Sequence, residues 1–465
     1  MKRSMIRSRH LLLALILFLC PARAWAHAHL KRSEPAAGSK VGTSPQLIRL
    51  WFSEQPELSM TAISLKDSQG KPWVLAGPQR DPNNPLEISA GIPQLLPAGR
   101  YTVAWRTAAS DGHPSQGTFG FDVLAQATLS TTTPAQAGAV TDTTGAETVL
   151  PTTSASTQHG EVADAASSVG NSLARALSFL GILALIGTVA FRTLVLPRAA
   201  GITAEMRAQM ERRAAVLGLA AGAVVIISAF ARLFLESEMM SAMPGMQTMS
   251  MADMAMHTRW GFALRLELGA AFVALVSFIL AARRLRGAWL LAGISAIVLA
   301  VTPALAGHAA ASPRFTSLMI VTDFSHVLGG ASWLGNLLAI MLIGVPIALK
   351  LDGEVRWEAV ASLVNAFSPI ALASAAIVGA SGVVASWVHL EHLAALWQTV
   401  YGQVLLLKLT LVAVTLIIGA YNFRRVQPRL VRAEGAARLR QSAALELSVG
   451  LLILLVTGFL TGISP

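Results

Sequence analysis

Eight of the chain's fifteen methionines fall between 239 and 256: Met239, Met240, Met243, Met246, Met249, Met251, Met254 and Met256, with His257 immediately after. Thioether sulfur is a soft, polarisable donor that favours Cu(I) over zinc or hard cations. The segment also carries Ser, Gln and Asp but no Leu, Ile or Val, so it does not read as a packed helix face. Metal capture suits it, and contact of a pliable Met-rich loop with a membrane is the competing use. A second set of residues is imidazole-based. Lys2, Arg3, Arg7 and Arg9 precede an apolar run at 11–20, and Ala24-Trp25-Ala26 has the small-x-small form of a leader-peptidase site. Residues 1–26 are therefore expected to be a signal peptide and His27 the first mature residue. A histidine in first position offers an amine and a ring nitrogen together, enough to chelate a metal twice. Asp111 and His113 stand two apart in the turn Ser110-Asp111-Gly112-His113-Pro114, where both can point at one centre. His29 would alternate to the other face of a strand and stays unassigned.

A third set lies in apolar sequence. Asp323 and His326 fall one turn apart on one face of an expected membrane helix, with His326 roughly 15 Å from its outer end at ~1.5 Å per residue. Ionisable groups at that depth are costly in lipid, so they should face the bundle interior, marking a site or pathway or else holding spans together. His308, His389 and His392 complete the histidines of this half, and none of these falls in a loop expected to be cytoplasmic.

The elements that must position these groups follow from composition. Among 465 residues, 54% are hydrophobic and only 13% charged, against about 25% charged in soluble domains, so most of the chain is membrane. The one cysteine, Cys20, lies in the leader, and Leu19 before it stands where a lipoprotein signal wants a small residue. The mature chain is thus expected to have no disulfide, thiolate metal site or cysteine nucleophile. From 27 to 124, short β-type runs (47–52, 61–65, 86–89, 101–107 and 118–123) alternate with Pro/Gly turns, which predicts an all-β sandwich or barrel with Trp51, Phe52, Trp105, Phe119 and Phe121 in its core. Residues 125–168, rich in Thr, Ala and Ser, read as a flexible linker.

Beyond it, 169–465 holds eight apolar stretches, at 172–196, 213–235, 260–282, 287–306, 316–348, 360–388, 401–421 and 441–463, each long enough to cross a bilayer as a helix. An exported β-domain forces the first span to run inward. The loops this makes cytoplasmic carry fifteen Arg and Lys, while the intervening exported loops carry Arg314 alone. That is the positive-inside pattern, so much of the net charge of +11 reports topology and not nucleic-acid binding. The expected location is the cytoplasmic (inner) membrane, multi-pass, with the N-terminal domain in the periplasm and the lipid bilayer as solvent.

HAHL, SEPAAGS, LWFSE, LPAGRYTVAWRTAASDGHP and GTFGFDV, in this order, resemble the copper-binding CopC family over the whole first domain, which implies a Greek-key sandwich or barrel. The resemblance implies a Cu(II) site made by the amine and imidazole of His27 with Asp111 and His113, a nitrogen and oxygen set that suits square Cu(II). This domain has only Met60, so a methionine Cu(I) site of the kind some relatives carry here is not expected. DFSHVLGGASWLGNL, GHA at 307–309 and YGQVLLLKLTLVAVTLIIGAYN at 401–422 resemble the CopD family of membrane proteins over most of 170–465. Together they imply a fused CopC-CopD copper protein that is not an enzyme and passes copper to or through a permease. The Met loop with His257, His308, His389 and His392 would receive copper, and Asp323 with His326 would form the intramembrane stage. An external copper chaperone or reductant is the implied partner, because the chain supplies no electrons. The alternatives are an extracytoplasmic copper buffer or sensor, a haem membrane oxidoreductase using pairs such as His326 and His392, and a copper monooxygenase; a carboxylate third ligand argues against the last.

Overall fold

The computed structural model describes residues 30–108, 114–124, 161–241, 250–307, 309, 315–390, 392–430 and 433–463. His27, His29, Asp111, His113, Met243, Met246, Met249 and His308 lie outside the described residues, as does the linker as far as residue 160.

The first domain is a two-sheet sandwich with, among its described residues, nine strands: β1 Leu30–Glu34, β2 Lys40–Val41, β3 Leu47–Phe52, β4 Ala62–Asp67, β5 Pro72–Trp73, β6 Gln79–Arg80, β7 Glu87–Gly91, β8 Gly99–Ala108 and β9 Pro114–Val123. One sheet runs β1-β3-β7-β6 and the other β2-β9-β8-β4-β5, with successive strands crossing repeatedly between them. Ile48, Leu50 and Phe52 of β3 meet Leu65, Val103, Trp105 and Phe121 of the facing sheet. The same alternation turns Trp51 outward, where Arg32 lies over its ring at 4.6 Å, so Trp51 is not core as expected. Tyr101 takes such a place instead, buried and donating from its hydroxyl to Pro97 O at 2.9 Å. Phe119 packs on the core from a half-buried position.

Register gathers four strand ends. Leu30 pairs with Phe52, Ala108 pairs with Pro114, and the Glu57 N–H donates to Ala108 O at 2.7 Å. The Thr61 and Thr107 hydroxyls meet at 2.7 Å on the same side. The start of β1 and the turn ends of β8 and β9 thus share one end of the sandwich, tied together by segment 53–60.

Among the described residues, eight helices are long and apolar enough to cross a membrane: spans one Val169–Val195, two Ala204–Met239, three Arg259–Ala282, four Ala288–Ala306, five Thr316–Ala348, six Val355–His389, seven Val400–Arg429 and eight Glu434–Leu460. The chain is a membrane protein. The helix of span one begins at Glu161, eight residues inside the stretch assigned to the linker, because Ala and Glu there favour helix as readily as coil. Span one packs on spans two, five and eight. Its Gly187 lies so close to span five that a Cβ would overlap the Gly335 backbone, the small-residue contact that lipid-embedded helices rely on. Gly329 plays this part against span six, where a Cβ would sit 3.1 Å from Val378, but Gly330 beside it faces open space.

Candidate functional site

Spans five, six and seven bring a polar cluster together inside the bundle. His326 Nδ1 lies 2.9 Å from Ser381 Oγ, and Ser381 gives its hydroxyl proton to Ile377 O at 2.7 Å. A serine whose proton goes to its own backbone leaves its oxygen to accept from a ring N–H, an arrangement that suits the neutral His326 tautomer with hydrogen on Nδ1 and a lone pair on Nε2. Asp323 interacts electrostatically with Lys408 and Tyr401 of span seven, and the Lys408 charge acts on His326. His389 places Nδ1 2.8 Å from Ala385 O and its ring 6.4 Å from that of Tyr401. His326 is ten residues from one end of its span, and Ser381 and Lys408 are each eight from theirs. These are the ends the charge pattern assigns outside, so all three sit at a depth of about 12–15 Å at ~1.5 Å per residue.

Of this cluster, Asp323 and His326 are the candidates the sequence offers; Ser381, Tyr401 and Lys408 are not among them. Hydroxyls in an apolar helix usually bond their own backbone, and Ser381 does so while also serving His326. His392 is exposed just beyond span six and is not drawn into the cluster. Among the described residues, no three His, Cys, Asp or Glu side chains converge as a metal site.

The described part of the Met segment is a short helix, Met251–His257, which starts where Ser250 Oγ accepts from the Asp253 N–H at 3.1 Å. The bonds from Ser250 hold the Asp253 carboxyl below the usual carboxylate range. Asp253 Oδ1 lies 3.7 Å from His257 Nδ1 on the exposed side. Met251, Met256 and His257 are exposed, but Met254 is 1% exposed and packs among Ala229, Leu233, Trp260 and Leu264. The segment therefore does contain a packed helix face, contrary to expectation: one methionine anchors the helix while its neighbours remain accessible. Met239 is half-buried near the end of span two, and Met240 follows it in the same helix.

Other charges within the spans pair between elements. Glu267, 3% exposed, accepts from Ser178 at 2.7 Å and pairs with Arg232, joining spans one, two and three. Arg175 pairs with Glu236 at 3.4 Å. Arg265 turns away from Glu267 to donate to Ala255 O, fastening the short helix to span three. Glu446 accepts from Trp333 Nε1 and Asn422 Nδ2, each at 3.0 Å, joining spans five, seven and eight.

Three family models match the chain: a CopC domain over 30–124, a copper resistance protein D-like N-terminal domain over 164–314, and copper resistance protein D over 361–460. The copper transport protein CutJ of Bacillus subtilis is 25% identical over 460 residues, covering 97% of this chain and 77% of its own length. Copper resistance protein C of Escherichia coli is 38% identical over 109 residues, 22% of this chain and 83% of its own. Among solved structures, CopC from Methylosinus trichosporium is 34% identical, covering 22% of this chain and 99% of its own at a TM-score of 0.21.

Proposed function

Because the chain belongs to the CopC and CopD copper-resistance families, fused in one polypeptide with copper as its metal, we propose that it captures Cu(II) outside the cytoplasmic membrane and passes copper inward through the helical bundle. His27, Asp111 and His113 hold Cu(II) on the β-domain. Met239, Met240, Met243, Met246, Met249, Met251 and Met256 with His257 offer the soft donors of a receiving loop, and His308, His389 and His392 line the same exported side. Reduction of Cu(II) to Cu(I) takes one electron from a donor outside the chain.

The observation that supports a route through the bundle is the polar cluster at a common depth in spans five, six and seven. An imidazole with a lone pair, one turn from a carboxylate, is a stage for a cation, and a lysine beside them offsets the carboxylate while the stage is empty. Lys408 also favours a second reading, a membrane-anchored copper buffer or sensor, because an ammonium repels metal cations from the same place. Proteoliposomes loaded with a copper dye separate the two. The account predicts reductant-dependent entry of copper that His326→Ala reduces, whereas a buffer binds copper outside and admits none.

A further inference from the structure

The β-domain meets the bundle through segment 53–60. Arg259, the first residue of span three, donates from Nη1 to Gln55 Oε1 at 3.2 Å. The Glu57 carboxylate takes a hydrogen bond from the Arg259 backbone N–H and another from Ser59, and it lies between the charges of Arg259 and Arg80. Arg80 is itself fixed by donating to Pro56 O. Burial nevertheless lifts the Glu57 carboxyl above its ordinary value, the mark of a group taken partly out of water. An N–H at the start of a helix has no partner within the helix, and a carboxylate satisfies both the N–H and the positive end of the helix dipole. Here that carboxylate comes from a separate domain, 200 residues earlier in the chain.

Each side of this contact is tied to groups that handle metal in the proposed function. On the β-domain, the Glu57 N–H holds Ala108, so the contact lies at the end shared by the start of β1 and the turn ends of β8 and β9. On the bundle, Thr258 caps span three by accepting from the Gly261 N–H at 2.8 Å, and it donates to Met254 O at 2.7 Å. Arg259 is therefore joined directly to the helix that exposes Met251, Met256 and His257.

We propose that Gln55 and Glu57 with Arg259 form a latch that seats this end of the β-domain beside the Met251–His257 helix, so that copper crosses a docked interface instead of being delivered by a freely swinging domain. The inference rests on the hand-over reading above. The latch is polar and solvent reaches its rim, so it is reversible and weakens with salt. A domain held too firmly could not release to reload.

The test places a photoreactive benzoylphenylalanine at Gln55 of the full chain in membranes, leaving Glu57 and Arg259 in place. The latch predicts cross-links to peptides spanning 251–265. It predicts a drop of about fivefold in cross-link yield in Glu57→Arg or Arg259→Glu, because either change sets like charges against each other across the contact. Retained Cu(II) binding by each variant shows that the β-domain is folded, and Arg259→Glu perturbs the latch without touching that domain. Cross-links spread over other exported loops, or unaltered by the charge reversals, overturn the latch. Cross-links that behave as predicted while copper entry stays equal in both single variants overturn docked hand-over but leave copper transport standing. Absence of copper entry in the wild-type chain rejects transport itself, and the latch is then judged by the cross-links alone.

Discussion

Ser381 Oγ lies within hydrogen-bond distance of both Ile377 O and His326 Nδ1 and so orients the His326 ring. If His326 Nε2 meets copper, Ser381 is its orienting partner. Ser381→Ala should then lower copper entry by about tenfold, the usual cost of losing such a partner, with little change in thermal stability. Equal loss of folding and entry would mark the serine as structural. Lys408→Gln should leave the Asp323 carboxylate without its compensating charge and strengthen retention of copper in the bundle, read as slower release in a chase with unlabelled metal. On the β-domain the sign of pH dependence follows from ligand chemistry: imidazoles must be neutral and the amine unprotonated to bind, so Cu(II) binding releases protons and weakens in acid. Matching affinities at about pH 5 and about pH 7.5 would contradict the assignment of His27 and His113. At this scale, sequence shows donor types but not their partners. Asp323 and His326 were legible because ionisable groups are rare in an apolar helix. Tyr401 and Ser381 were not, since single hydroxyls carry no signature until another span meets them.

Between elements, polar pairs and small residues do the joining, because lipid offers helices no hydrophobic drive to associate. Gly187→Val would push a side chain into the Gly335 backbone, and overpacking of that kind costs about 3 kcal/mol. Loss of monodisperse protein in detergent is the expected outcome. Glu446→Ala would strand the Trp333 and Asn422 donors, at about 1–3 kcal/mol for each buried group, whereas Glu446→Gln keeps an acceptor oxygen and should cost less. Thermal melts of the two variants in one detergent check the order. The spans themselves were legible from hydropathy, and all eight are present. Their pairings were not: nothing in the spacing says that Glu446 meets Trp333 across 113 residues, or that Arg232 meets Glu267 and not Arg265. The strands show the same division. Alternation located β3, β8 and β9, yet a run ending in Trp51-Phe52 does not say which aromatic faces in, and only the partner sheet decides for Phe52.

For the whole molecule, the proposed function has copper pass from the sandwich to the Met helix and on to the polar cluster. That proposal rests on the loop charges legible in the sequence for placing the first two on one side of the membrane with the cluster just beneath. The contact at Arg259 had no such signal, because it joins two domains through residues that look like ordinary solvated surface in each. The measurement that tests the account most directly is cytoplasmic copper in cells expressing the intact chain, His326→Ala, or a chain ending at residue 168, at matched expression and external copper. The account predicts that the intact chain raises cytoplasmic copper and that both variants lose the rise. Unchanged cytoplasmic copper, with the truncated chain still protecting cells from the metal, would contradict it and reduce the bundle to an anchor.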